Sequence, residues 1–279
     1  MMSTEVDMNP VLNGGTTQAN GQDAKYKTVF GGRKMTLFCC HVYFAACMYL
    51  SSLCAIVAND WIPNPEIHPP LDDVLFRAIP PLESGSTIAN IALVASAVIN
   101  IAMIAKQKYI LRFVILQRFL YTLPTMFLMR AFTMTVTSLP MPETAIPCMP
   151  KTDGTIMSRL SLAVMQSVSM GITTDKGIVC GDLIFSGHTS TFIYLSYFAT
   201  KYSPSTWRSI PVVCWCLTVI GSVCLILTRG HYTVDVVLSV YLAFFTLTVH
   251  DVMVEHPHLL DRYSIMCLAF PLMYFVEAH

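Results

Sequence analysis

Long apolar runs alternate with short polar breaks along almost the whole chain. Runs close to the roughly 20 residues that a helix needs to cross a bilayer lie at about 36–58, 87–105, 117–138, 184–201, 210–228 and 232–250. They predict an all-α integral membrane protein with six transmembrane helices in one bundle. Residues 1–35 are polar and rich in Gly, Asn, Thr and Gln, and read as a disordered cytosolic tail. The catalytic unit is then 36–250, and 251–279 is a cytosolic C-terminal segment. Its apolar stretch Ser264 to Val276 is short for a span and contains Pro271, so a short interfacial helix is expected there.

Lys and Arg set the orientation. Lys25, Lys27, Arg33, Lys34, Lys106, Lys108, Arg112, Arg118, Lys201 and Arg208 fall on one side of the spans; Arg77, Lys151, Arg159, Lys176 and Arg229 fall on the other. Ten against five puts both termini in the cytosol by the positive-inside rule. Composition agrees with a membrane domain, since 54% of the 279 residues are hydrophobic and 12% charged. With zero net charge and no Lys/Arg cluster interleaved with aromatics, no nucleic-acid partner is expected.

Against this apolar background two polar motifs stand out: Cys180-Gly181-Asp182-Leu183-Ile184-Phe185-Ser186-Gly187-His188-Thr189, and about forty residues later His231-Tyr232-Thr233-Val234-Asp235. An ionisable side chain inside a membrane is costly, so such clusters are functional candidates. Two spans separate the motifs, which returns His188 and His231 to the same membrane face, the one away from the cytosol. His231 and Asp235 are at i and i+4, one face of a helix. A carboxylate on one imidazole nitrogen fixes the tautomer and leaves the other nitrogen as nucleophile or base. The expected constellation is a His188, His231, Asp235 triad; the rival for the same residues is a divalent-ion site.

At these residues the chain resembles the sphingomyelin synthase family, ceramide phosphotransferases distantly related to the lipid phosphate phosphatases. The resemblance covers roughly 36–277 and rests on C-G-D-x-x-x-S-G-H-T at 180–189 and H-Y-T-x-D-V at 231–236. Weaker counterparts are Pro69-Pro70-Leu71-Asp72-Asp73, where the family usually has Pro for Asp72, and Gln117-Arg118 followed by Phe127, Arg130 and Thr133. The resemblance implies transfer of a phospho-head group, phosphocholine or phosphoethanolamine, from a glycerophospholipid to ceramide. His231 would be the nucleophile and His188 the acid and base, with no cofactor and no metal. It also implies a multi-pass protein of the Golgi, with plasma membrane and endoplasmic reticulum as alternatives, and leaves open a homo-oligomer.

Further candidates surround the triad. Ser186 and Thr189 flank His188 as phosphate donors, or Ser186 is a helix N-cap. Arg130 is a phosphate ligand or the partner of Asp182, and Arg229 a second phosphate ligand or a snorkelling cation. Asp182 is expected to organise its loop and Tyr241 to pack between helices. The Pro-rich loop from 139 to 183 is expected to carry a short helix over Leu160–Met170, lying on the bundle or shaping the approach to the site. Cys148 and Cys180 sit at its two ends on the oxidising side, so a disulfide is feasible, and the sequence leaves it open. Two other functional classes share the triad or the membrane setting: a lipid phosphatase or phospholipase C-type hydrolase, and an inactive lipid sensor. The Lys-x6-Arg-Pro motif of lipid phosphate phosphatases does not occur here.

Overall fold

The computed structural model describes residues 19–143, 148–152, 154–169 and 179–256, with 258–259, 270, 272–273 and 276 beyond them, and side chains from residue 34. Among the described residues every element is a helix, with no strand. In chain order the elements are α1 (Ala19–Asp60), α2 (Val74–Ala78), α3 (Gly85–Lys106), α4 (Tyr109–Val136), α5 (Ile156–Ser169), α6 (Gly187–Tyr202), α7 (Ser209–Leu227) and α8 (Thr233–Glu255). Five stretches are long and apolar enough to cross a membrane: Lys34–Asp60, Gly85–Lys106, Tyr109–Val136, Ser209–Leu227 and Thr233–Glu255. The chain is thus a multi-pass helical membrane protein.

The expected span at 184–201 appears as α6, which begins only at Gly187 and has 16 residues. At 1.5 Å per residue it is about 24 Å long, short of a hydrocarbon core of about 30 Å. The missing turn is occupied by residues 181–186, the non-helical part of the first motif. The helix start carrying His188 is therefore set below the end of the bundle.

Helix α1 reaches back to Ala19, into the segment expected to be a disordered tail. Gln22, Ala24 and Lys25 are good helix formers, and no Pro occurs between Pro10 and Pro63. Residues 1–18 lie outside the described residues, as does most of the expected interfacial helix at 264–276. Two of its members, Phe270 and Met273, are buried against Cys40, Leu120, Tyr121 and Met253 at the end of the bundle rich in Lys and Arg.

Helix α6 is the hub. Its Ile193, Tyr194 and Phe198 are buried, packing with Leu123 and Met126 of α4 and Ala243 and Leu247 of α8, and its buried Phe192 lies against Gly221 of α7. Around it, α1 packs mainly on α4 and α5, and α3 mainly on α7 and α6. The outer faces are apolar, including Ile91, Val94, Val98 and Ile101 of α3 and Phe244 and Phe245 of α8, as lipid contact requires. Tyr241 belongs to this outer surface at 72% exposure, so it does not pack between helices as expected.

At the basic end, α4, α6 and α8 are clamped by polar contacts. His250 is buried and hydrogen-bonds the Tyr121 hydroxyl at 2.7 Å, with Asp251 Oδ1 at 3.2 Å from its Nδ1. Lys201 pairs with Asp251 and donates to the Tyr197 hydroxyl at 2.9 Å. His250 is a satisfied bundle histidine, far along α8 from the motifs.

Candidate active site

The first motif is fastened to the end of α1 before it turns down into the bundle. A Cβ on Gly181 would meet the backbone of Ala58 and Asn59 at 2.3 Å, so only glycine allows this approach. Asn59, 2% exposed, accepts from the Cys180 amide at 3.0 Å and donates to the Met149 carbonyl at 3.2 Å. It thus holds both flanks of a Cys148–Cys180 disulfide, which the structure contains. Asp60 extends the junction, accepting from the amide and hydroxyl of Thr152 and pairing with Arg159 Nε at 2.9 Å. This pair anchors α5, which overlaps the short helix expected over Leu160–Met170 up to Ser169.

Below that platform, Ser186 caps α6. Its hydroxyl accepts from the Thr189 amide at 3.3 Å and from the Thr189 hydroxyl at 3.2 Å. Both side chains are fully buried and turned to one another. His188 follows as the second residue of the helix, with Nε2 at 3.2 Å from Asn90 Oδ1 on α3. An amide oxygen there selects the tautomer with the proton on Nε2 and leaves Nδ1 for proton exchange. Asn90 was not legible as a site residue: a lone polar residue in the first turns of an apolar span reads as packing.

Arg130 crosses the start of α6 from α4. It is 5% exposed, pairs with the Asp182 carboxylate, and donates to the Phe185 carbonyl at 2.6 Å and the Asp182 carbonyl at 3.2 Å. Its guanidinium lies where a Cβ on Gly187 would be 3.2 Å from Cζ, so the glycine of the Ser-Gly-His sequence makes room for it. Of the two readings of Arg130, the pairing with Asp182 is present. Thr133 adds a bond from its hydroxyl to the Ile184 carbonyl at 2.8 Å. The loop between the disulfide and α6 is thus held by α4 through side-chain donors, as a non-helical backbone inside a membrane domain must be.

The second motif differs from the expected helical pair. His231 precedes α8, whose first residue is Thr233, so His231 and Asp235 meet across the helix start and not along a helix face. Asp235 Oδ2 accepts from the Tyr232 amide at 3.1 Å, satisfying an otherwise orphaned helix-start donor, and lies 3.6 Å from His231 Nδ1. That separation is an ion-pair distance, longer than a hydrogen bond; such contacts commonly tighten only when substrate is present. His231 is 8% exposed and Asp235 1%.

The surroundings of this turn come from distant segments. Asp73 accepts from the Thr233 amide and hydroxyl, both at 2.7 Å, and from the Leu75 amide at 2.9 Å. Burial raises the Asp73 carboxyl, but hydrogen bonds led by the Thr233 hydroxyl outweigh it and hold the group below the usual carboxylate range. The Tyr232 hydroxyl accepts from the Leu71 amide and donates to the Pro140 carbonyl, each at 3.0 Å. Asp72 instead pairs with Arg77 on the exposed surface and stays out of the site. Arg229 is engaged by Glu143 at 3.5 Å, by the Phe76 carbonyl at 3.3 Å and by the Phe76 ring. Its backbone has φ of +55°, a left-handed turn that redirects the chain from α7 into His231.

The two motifs are joined directly. The Ser186 amide donates to the Asp235 carbonyl at 3.3 Å, and Ser239, one turn into α8, donates to the carbonyls of Asp235 and Ser186 at 2.7 and 2.9 Å. His188 and His231 are close enough to interact electrostatically, and Asp182 feels both His231 and Asp235. Among the described residues no three His, Cys, Asp or Glu side chains converge as metal ligands. His188 opens onto a cavity of about 60 Å³ walled by α1, α3, α4 and α5, in which Arg130, Asp182 and Gln166 also take part. Helix α5 therefore shapes the space in front of His188, the second of the roles weighed for it.

Comparison with known proteins agrees with the motifs. The profile of the PAP2 superfamily C-terminal region matches residues 179–252, which include both motifs. Mouse sphingomyelin synthase-related protein 1 is 28% identical over 209 residues, 75% of this chain and 43% of its own length. The chain is a homologue of the sphingomyelin synthases. Human phosphatidylcholine:ceramide cholinephosphotransferase 2 is 29% identical over 204 residues, covering 72% of this chain and 55% of its own. Human phosphatidylcholine:ceramide cholinephosphotransferase 1 is 30% identical over 208 residues, covering 74% and 49%. The chain spans about half the length of these relatives.

Proposed function

We propose that this chain is a phospholipid:ceramide phosphotransferase. It moves a phospho-head group, phosphocholine first and phosphoethanolamine as the alternative, from a glycerophospholipid to the primary hydroxyl of ceramide. The observation that carries this is the junction of motifs: the helix start bearing His188 is hydrogen-bonded to the helix start that sets His231 beside Asp235. Relatives named as ceramide cholinephosphotransferases supply the reaction class.

In the first half-reaction His231 attacks phosphorus through Nε2, because its Nδ1 faces Asp235. A P–N bond forms, the P–O bond to glycerol breaks, and His188 gives its proton to the departing diacylglycerol oxygen. In the second half the ceramide hydroxyl loses its proton to His188 as its oxygen attacks phosphorus, and the P–N bond breaks. Asp235 stabilises positive charge on the His231 ring. The first amides of α6, those of Gly187 and His188, have no acceptor within the helix, and with the helix dipole they favour the phosphate oxygens. Arg130 and Asp182 keep the loop in place, while Ser186 and Thr189 hold the cap.

We take α6 as a span too, the fourth of six in a catalytic domain over 36–250, with both termini cytosolic and the site facing the lumen or exterior. The Lys and Arg distribution supports this, and so does a disulfide on the same side as the motifs. Golgi residence follows from the family alone.

The test uses membranes from cells lacking such activity, expressing wild type or His231→Ala, given fluorescent ceramide and phosphatidylcholine or phosphatidylethanolamine. A phosphosphingolipid made by wild type alone supports the proposal and names the head group. Diacylglycerol release without that product replaces it with a hydrolase.

A further inference from the structure

The cavity in front of His188 extends along α1 past Ala55, Ser52, Ser51 and Met48. By helical rise these residues lie roughly 6 to 16 Å below Asn59, where the first motif is fastened. Its opposite wall is Leu93 of α3. Helices α1 and α3 each pack mainly on other partners, so the cavity occupies the gap between them. It lies between membrane-spanning helices.

Two polar side chains in this gap have no structural task. Ser51 and Ser52 are 4% and 8% exposed, line the cavity, and neither hydroxyl has a hydrogen-bond partner among the described residues. Several other hydroxyls on the spans satisfy themselves, Thr125, Thr191, Thr200 and Thr246 each bonding the carbonyl four residues back, while those of Ser96, Tyr194 and Ser222 are buried without a partner among the described residues but do not line this cavity. Two hydroxyls side by side on the wall of a cavity, neither engaged by the protein, are available to a bound polar group.

We propose that Ser51 and Ser52 recognise the amide and C3-hydroxyl of the ceramide acceptor, and so select a sphingoid over a glycerol backbone. This rests on the transferase reading of the same site. When the C1 hydroxyl of ceramide is at His188, the amide and C3-hydroxyl lie within a few bonds of it. Both can donate a hydrogen bond, whereas the ester oxygens at the corresponding places of diacylglycerol can only accept. A serine hydroxyl accepts as well as donates, and so satisfies ceramide more fully. In the half-reaction that releases diacylglycerol the same groups are under-used, which favours its exchange for ceramide.

The test measures equilibrium binding of a short-chain fluorescent ceramide, and of its analogue lacking the C3 hydroxyl, to the purified full chain in nanodiscs. Wild type, Ser51→Ala, Ser52→Ala, the double variant and Ser51→Thr are compared, with product formation followed in the same preparations. Alanine is a better helix former than serine, so folding is expected to survive. Ceramide binding is expected to weaken roughly 30-fold in the double variant, about 5-fold for each of two lost net hydrogen bonds. The analogue, which keeps the amide, should lose less than ceramide does in the double variant, and Ser51→Thr should keep the preference for ceramide. Equal loss for ceramide and analogue, or no loss, overturns the assignment. Ceramide selectivity that depends on the serines without any phosphosphingolipid product would uphold it while removing the transferase reading.

Discussion

The amide of Ser186 and the carbonyl of Asp235 are 3.3 Å apart, and that bond fixes the N-cap of one histidine's helix to the residue that faces the other histidine. Ser239 doubles the link by donating to both backbones. Removing its hydroxyl leaves two buried carbonyls with one fewer donor. Ser239→Ala is expected to cost about 1–2 kcal/mol of stability and to lower kcat by about 10-fold or more, since a misplacement of about 1 Å can cost 100-fold. Thermal melts in detergent and steady-state kinetics on the same preparation check both.

The second motif shows how far sequence alone reaches. His188, His231 and Asp235 were legible because charged residues in apolar runs are conspicuous and their spacing returns them to one membrane face. Their connection was not. Ser239 and Asn90 are single polar residues inside long helices, indistinguishable in sequence from Ser96 or Asn100, and only the packing of α3 and α8 on α6 gives them partners. The i, i+4 spacing of His231 and Asp235 suggested a helix face, whereas the helix begins between them, because Asp235 is used as a cap for Tyr232. Arg130 was identified with two alternatives, and its pairing with Asp182 depended on the non-helical path of 181–186, which hydropathy assigned in part to a span.

Gly181 is expected to tolerate no side chain. A Cβ there would stand 2.3 Å from the backbone of α1, which cannot give as a flexible side chain can. Gly181→Ala should destabilise by about 1–3 kcal/mol or more and displace the loop that carries Asp182. Fluorescence-detected size exclusion and residual activity measure the two effects.

The Asp73 carboxylate is held below its ordinary range by the Thr233 donors and neighbouring amides. A depressed folded pKa means that its stabilisation is fully present above the unfolded value of about 4 and is lost as pH falls through the lower folded value. Wild type is therefore expected to lose more thermal stability than Asp73→Asn between pH 6 and pH 3, taken as approximate ends of the window. Melting curves across that range would show parallel slopes if Asp73 carries no such linkage.

The disulfide joins residues 32 apart in sequence and closes the loop that carries α5. Cys148→Ser is expected to cost about 2–4 kcal/mol and to loosen the wall that contains Gln166. In wild type, maleimide-polyethylene glycol should label Cys148 and Cys180 only after reduction. Labelling of both before reduction, in cells, would contradict a lumenal site.

The most direct test of the account is a pulse and chase on the purified protein. It is incubated with phosphatidylcholine or phosphatidylethanolamine labelled in the head group, quenched in alkali, and digested for mass spectrometry. The account expects an alkali-stable, acid-labile adduct on His231 in wild type, absent from His231→Ala, that a ceramide chase converts to a phosphosphingolipid. A product that forms equally well with His231→Ala, or an adduct that ceramide does not discharge, would contradict it.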